Sequence, residues 1–235
     1  MSQLRVLMYH KVAEEPDFLT VTPAQFEKQL IIIKSKYTAV RLSEVIEHIQ
    51  TKKALPKNAL LISFDDGYAD NYTQAYPLLK QYNLPFCIFL VSDFVGQTTI
   101  HDSQSQQFLS IKQLQEMNAL AEYACHSTNH QNINDIPVNE WEHEIGKCYD
   151  NLKASGLNIQ TAWAYTYGAF PKKEASKMAL LEKSFQKNGI TCSFRIGNRI
   201  NALPLKKPYS IERLDIRGDQ PLWRFRLKLL MGKII

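Results

Sequence analysis

No stretch of this sequence approaches the ~20 consecutive apolar residues that a membrane-crossing helix requires. The longest apolar clusters, such as PFCIFLV at 85–91, stop far short of it. The amino terminus, MSQLRVLMYHKV, meets charge too early for a secretory signal, which predicts a cytoplasmic chain. Cysteine is scarce. Cys87, Cys125, Cys148 and Cys192 are widely spaced with no CxxC pair, which argues against a cysteine zinc site or a dithiol redox centre and predicts buried, reduced thiols. Long polar tracts, low-complexity segments and internal repeats are also missing, which excludes disordered, fibrous and solenoid classes. A net charge of only +5, without a basic tract interleaved with aromatics, gives no reason to expect nucleic acid as a partner. What remains, 45% hydrophobic and 22% charged residues over 235 positions, suits a single globular domain, 1–235, with a sizeable core.

Apolar runs predict strands at 4–10, 59–64, 85–91, 121–125, 161–165, 190–194 and 209–216. Several are continuous rather than alternating, as expected of strands covered on both faces. Helical patterns lie between them, at 43–53, 71–82, 110–119, 137–155 and 171–188. The first helix starts at Thr22-Pro23, a cap followed by proline, and carries Phe26, Leu30 and Ile33 at helical spacing. Strand alternating with helix implies parallel strands and crossover helices, hence an α/β barrel or a doubly wound sheet. The segment 220–235, which includes WRFRLKLL, reads as an amphipathic helix. Either it packs Leu227 and Leu230 against the domain, or it lies on a membrane surface as a peripheral contact at the inner membrane.

In parallel α/β folds the chemistry gathers at the carboxyl ends of strands. The strand 59–64 runs into Asp65-Asp66-Gly67, and the strand 121–125 runs into HSTNH, with His126 and His130 four apart. A lone Asp-Asp-Gly is usually a turn. Together with the histidine pair it offers two imidazoles and an oxygen, a ligand set suited to catalytic zinc with a position left for water. Cobalt, nickel and iron accept the same donors. His10 ends the first strand, where it is a candidate acid or base, and Tyr165-Thr166-Tyr167-Gly168 ends the fifth. His48, His101 and His143 read as surface groups.

The order LMYHKV, SFDDG, HSTNH, AYTYG, ERLDI resembles the polysaccharide deacetylases of carbohydrate esterase family 4, and among them the branch acting on poly-N-acetylglucosamine. The resemblance implies a distorted (β/α) barrel of about seven parallel strands. It implies a divalent metal, with zinc expected, on Asp66, His126 and His130, Asp65 as general base and the backbone amide of Tyr167 at the oxyanion. The implied reaction is removal of N-acetyl groups from N-acetylhexosamine units of a surface polysaccharide or lipooligosaccharide.

The sequence departs from the family pattern in three places. No histidine follows His143 to serve as the family's usual carboxyl-terminal acid; the resemblance to the poly-N-acetylglucosamine branch, whose motif order is circularly permuted, implies that Met8-Tyr9-His10 takes that slot with His10 as the general acid. Ala164 and Thr166 replace the arginine and proline before the tyrosine-glycine pair, and Arg213 is the candidate to steady Asp65 instead. The Asp-x-Trp motif is absent, and Trp163 reads as core. Tyr9, Tyr68, Tyr165 and Tyr167 are candidate stacking faces for a sugar. Two rivals remain: a non-catalytic glycan-binding barrel, and a metal-dependent amidohydrolase acting on a non-sugar amide.

Overall fold

The computed structural model describes residues 2–101 and 103–232. The seven expected runs form seven strands: β1 (Gln3–Tyr9), β2 (Ala59–Asp66), β3 (Phe86–Leu90), β4 (Ala121–Cys125), β5 (Ile159–Ala164), β6 (Cys192–Ile196) and β7 (Ile211–Asp215). Each pairs in parallel with the next. β7 returns to β1 through Leu7↔Leu214 and Met8↔Asp215, so the sheet closes into a barrel. A register shift between β4 and β5, and the short segment Asn201–Ala202 pairing antiparallel with the start of β1, depart from regular closure.

Among the described residues, seven helices surround the barrel: α1 (Pro23–Lys36), α2 (Leu42–Thr51), α3 (Tyr76–Gln81), α4 (Ile111–Met117), α5 (Trp141–Ala154), α6 (Ala175–Lys187) and α7 (Leu222–Met231). The Thr22 side chain caps α1 by accepting from the Gln25 amide, and Phe26, Leu30 and Ile33 are buried as their spacing requires. The helix expected over 71–82 is instead a π-turn, Asn71–Ala75, leading into α3. Pro77 has no N–H to donate to the turn before it, and the Tyr76 amide reaches back to the Asn71 carbonyl.

No described helix is long and apolar enough to cross a membrane. α7 packs Phe225, Lys228 and Leu229 inward, and Leu230 is 65% exposed, which corrects the expected inward pair Leu227 and Leu230. Two anchors set the phase. Arg5 Nε donates to the Leu229 carbonyl, and Lys228 Nζ donates to the Asp215 carbonyl. The last three positions of the expected 220–235 helix lie outside the described residues.

The alternation of strand side chains divides the core in two. Leu60, Ile62 and Phe64 of β2 face the helices, and Ala59 and Leu61 face the barrel interior. That interior is filled by Leu4, Val6, Cys87, Phe89, Ala124, Ala162, Ala164, Cys192, Phe194 and Ile211, small residues opposing large ones. The same parity carried upward places Met8 and His10, Asp65, and Arg213 and Asp215 at the upper mouth of the barrel. Trp163 has the opposite parity and packs on Phe185 in the outer core. All four cysteines are buried and reduced.

Candidate active site

Asp65 and Asp66 are adjacent yet do not share an environment. Asp65 belongs to the inward set of β2. Asp66 follows it at φ +70°, a left-handed conformation that non-glycine residues rarely adopt. Ser127, His130 and Tyr167 also have positive φ, at +78°, +62° and +56°. Strain of this kind persists only where surrounding structure holds it, and Asp66, His130 and Tyr167 all line one cleft of about 550 Å³. Gly168 follows at φ +63°, and a side chain there would meet Ile196 of β6 at 2.9 Å.

Arg213, fully buried on β7, donates from Nη1 to Asp65 Oδ1 at 2.6 Å, and its guanidinium lies 5.5 Å from the centre of the Phe89 ring. Asp65 Oδ2 faces His10 Nε2 at 4.0 Å and His126 Nε2 at 3.9 Å. Burial opposes ionisation of Asp65, but Arg213, His126 and His10 together outweigh it and lower its pKa.

Asp66 Oδ1 lies 3.3 Å from His126 Nε2 and 3.1 Å from His130 Nε2, contacts that are hydrogen bonds only where Nε2 carries a proton. His126 Nδ1 lies 2.8 Å from the Ala164 carbonyl, which can only accept, so Nδ1 carries the proton and Nε2 of the neutral ring presents a lone pair to the carboxylate. Lone pair facing carboxylate is repulsive unless a cation lies between them. Protonation of Nε2 is the alternative: burial disfavours the imidazolium, but Asp65 and Asp66 more than offset this and raise the His126 pKa. His130 Nδ1 meets the Tyr167 hydroxyl at 3.1 Å, and burial lowers its pKa. Imidazoles whose far nitrogens are tied to a carbonyl and a hydroxyl are the usual arrangement of metal-binding histidines. The chemistry of these donors suits a divalent ion, and Asp66, His126 and His130 are the candidates to hold it.

Two histidines are not where the sequence suggested. His48 is buried, its Nδ1 2.7 Å from the Lys53 carbonyl, where it closes the end of α2. His101 is 7% exposed and stands at the cluster, with Nε2 3.8 Å from Asp66 Oδ2, and its ligand atom and those of Asp66 and His130 lie within 4.8 Å of one another. Its position depends on a hairpin, Thr98–His101 with Gln104–Gln107, whose only trace in the sequence is two short segments of strand length, TTIH and QSQQ, around a turn. Burial works against ionisation of Asp66, but His101, His126 and His130 pull its carboxyl well below the ordinary range.

Of the four candidate stacking tyrosines, Tyr9, Tyr68 and Tyr165 are buried, because burying their large rings against the core outweighs exposing them, and Tyr9 and Tyr165 still place their hydroxyls on internal acceptors. Tyr167 is 62% exposed at the cleft. The cleft also exposes Phe18, which stacks on Arg217 at 3.9 Å.

Asp70 ties the end of β1 to the end of β2. Its Oδ1 accepts from the Val12 amide at 3.2 Å and from Asn71 Nδ2 at 2.8 Å, and the same Asn71 amide reaches the His10 carbonyl at 2.8 Å. Burial pushes the Asp70 carboxyl up to about 6. A raised folded-state pKa means that the stability gained from the protonated group is fully present below pH ~4 and is lost as pH rises through about 6. Asp70→Asn keeps the acceptor without the charge. It is expected to stabilise the protein by roughly 1–2 kcal/mol at pH 7.5 and hardly at all at pH 4, as read from paired thermal melts.

A sequence profile described as polysaccharide deacetylase matches residues 52–183. The chain is 30% identical over 210 residues to a poly-beta-1,6-N-acetyl-D-glucosamine N-deacetylase of Staphylococcus aureus, covering 85% of this chain and 69% of that one. It is 27% identical over 198 residues to YxkH of Bacillus subtilis, covering 81% of this chain and 64% of that protein, so it spans less than two thirds of that relative's length. In fold it is similar to the Streptococcus pyogenes deacetylase PplD, with a TM-score of 0.79 over 97% of this chain and 98% of that one, at 20% identity.

Proposed function

Since the chain belongs to the polysaccharide deacetylase family, we propose that it is a metal-dependent hydrolase removing N-acetyl groups from N-acetylhexosamine units of a surface polysaccharide or lipooligosaccharide. The observation that carries this reading is the division of labour between two neighbouring carboxylates. Asp66 presents one carboxylate oxygen to two imidazole nitrogens at 3.3 and 3.1 Å, and Asp65 leaves one oxygen open beside His10.

A divalent ion held by Asp66, His126 and His130 would supply Lewis acidity toward the acetyl carbonyl and a more acidic water. Asp65 then acts through Oδ2, since Oδ1 is engaged by Arg213. Oδ2 takes the proton as the water oxygen bonds to the acetyl carbon. Arg213 keeps Asp65 ionised and fixes the carboxylate plane, so the base needs no reorganisation. His10, protonated at Nε2, gives its proton to the sugar nitrogen as the C–N bond breaks, because an amide anion is a very poor leaving group. Acetate and a free amino sugar result. The Tyr167 amide stands by the cleft as the candidate oxyanion donor, and the exposed faces of Tyr167 and Phe18 suit a sugar ring.

The test is acetate release from N-acetylglucosamine oligomers and from de-O-acylated lipooligosaccharide, with divalent metal added or chelated. Wild type is expected to release acetate only with metal, and His10→Ala is expected to lower kcat by about 10²–10⁴ with metal content unchanged. Metal bound without acetate release from any glycan would move the assignment to a glycan-binding barrel or to an amidohydrolase of another amide.

A further inference from the structure

The hairpin that carries His101 is joined to the loop that carries Asp66. Directly after Asp66 and Gly67, Tyr68 forms an antiparallel bridge with Phe108. The Leu109 amide donates to the Gly67 carbonyl at 2.9 Å, and the Ala69 amide to the Gln107 carbonyl at 2.9 Å. Gln107 in turn pairs with Thr98, and His101 with Gln104, so a continuous ladder runs from the aspartate turn to His101. The imidazole is further packed by rings. Its centre lies 5.3 Å from Phe94, 6.0 Å from Phe108 and 6.1 Å from Tyr68, and it meets His130 edge-on at 4.6 Å. Backbone ladder and aromatic wall thus direct a buried histidine at the Asp66 oxygen turned away from His126 and His130. At 3.8 Å, Nε2 and Oδ2 are too far apart for a hydrogen bond but suitably placed to share a cation.

We propose that His101 is a fourth protein donor to the divalent ion, completing a three-histidine, one-carboxylate set with Asp66, His126 and His130. The inference rests on the metal site proposed above and adds a ligand to it. With four protein donors, a water and the acetyl oxygen need a fifth and a sixth position, so the site should favour ions that accept five or six ligands over a strictly tetrahedral one. The hairpin then becomes part of the active site, since its removal or displacement changes the coordination sphere itself.

The experiment measures Zn²⁺ affinity by chelator competition, and Co²⁺ absorption spectra, on wild type, His101→Ala and His130→Ala, with melts of the metal-free proteins to compare folding. Loss of an outer partner of a metal ligand typically costs 10–100-fold in affinity. His101→Ala is therefore expected to weaken Zn²⁺ binding by about 100-fold or more, and to change the Co²⁺ bands as water replaces a nitrogen. ¹¹³Cd NMR of wild type labelled with ¹⁵N-histidine needs no variant and is expected to show coupling to three imidazoles. Coupling to two only overturns the proposal, as does an unchanged Co²⁺ spectrum in His101→Ala, even if affinity falls. Loss of binding in His130→Ala with full binding in His101→Ala overturns it while leaving the proposed metal site standing. A wild type that binds none of these ions overturns both.

Discussion

The substitution Asp65→Asn is expected to lower kcat for acetate release by about 10³-fold at pH 7.5 while metal content and KM stay near wild type. The carboxamide keeps an oxygen for Arg213 and almost the same volume, so β2 and the barrel mouth are undisturbed. What is lost is the open carboxylate oxygen facing His10, the atom placed to take the proton of an attacking water. The pH profile separates this from a general loss of fold. Wild-type kcat/KM should rise on its acid side as Asp65 and the histidines proposed to hold the metal deprotonate, and the residual Asp65→Asn activity should lack the Asp65 component. A variant with more than a tenth of wild-type kcat would remove Asp65 as the base.

Arg213→Met is expected to destabilise the protein by about 3–5 kcal/mol at pH 7, through a different mechanism. The substitution fills similar volume but leaves the buried Asp65 carboxylate without its strongest partner. The pH dependence has a defined sign. The Asp65 pKa is lowered in the folded state, so its stabilising contribution is present above the unfolded carboxylate pKa and is lost as pH falls through the folded value. The penalty in Arg213→Met should accordingly shrink toward pH 4, where Asp65 takes up a proton instead. The double variant Arg213→Met with Asp65→Asn should recover most of the stability without recovering activity. Urea unfolding of the four proteins at pH 7 and pH 4.5 checks this, and equal losses at both pH values would mean that Arg213 acts by packing alone.

The strands and the chemistry at their ends were legible because both are local. A continuous apolar run that stops on charge marks a buried strand and its upper end, and this suffices to gather Asp65, Asp66, His126, His130 and His10 at one mouth. Position along a strand also decides which way a side chain points, so the pairing of Met8 with His10 and of Ile211 with Arg213 follows once barrel closure is granted. That Arg213 reaches Asp65 depends on the registers of β7 and β2 against β1, which no short window of sequence specifies, so the sequence offers Arg213 only as a candidate. His101 was missed for the same reason. Its hairpin is polar, TTIH and QSQQ, and acquires meaning only through hydrogen bonds to residues 67–69. In the tail helix, Leu227 and Leu230 are as apolar as Leu229, so composition leaves the inward face open, and the anchors from Arg5 and Lys228 turn Phe225, Lys228 and Leu229 inward.

β1 is hydrogen-bonded on one side to β2 and on the other to β7. A ribosome makes the first of these partners early and the second late, so the growing chain carries an open strand edge and an unaccompanied aspartate until the Arg213 region, 148 residues beyond Asp65, has emerged. Loop closure over that distance opposes early assembly, and contacts so far apart in sequence slow the final step of folding. Asp65 acquires its charge partner in the same event that seals the barrel. An incompletely synthesised or carboxyl-terminally clipped chain should consequently be aggregation-prone and hydrolytically silent at once, with no active but unsealed species released during translation.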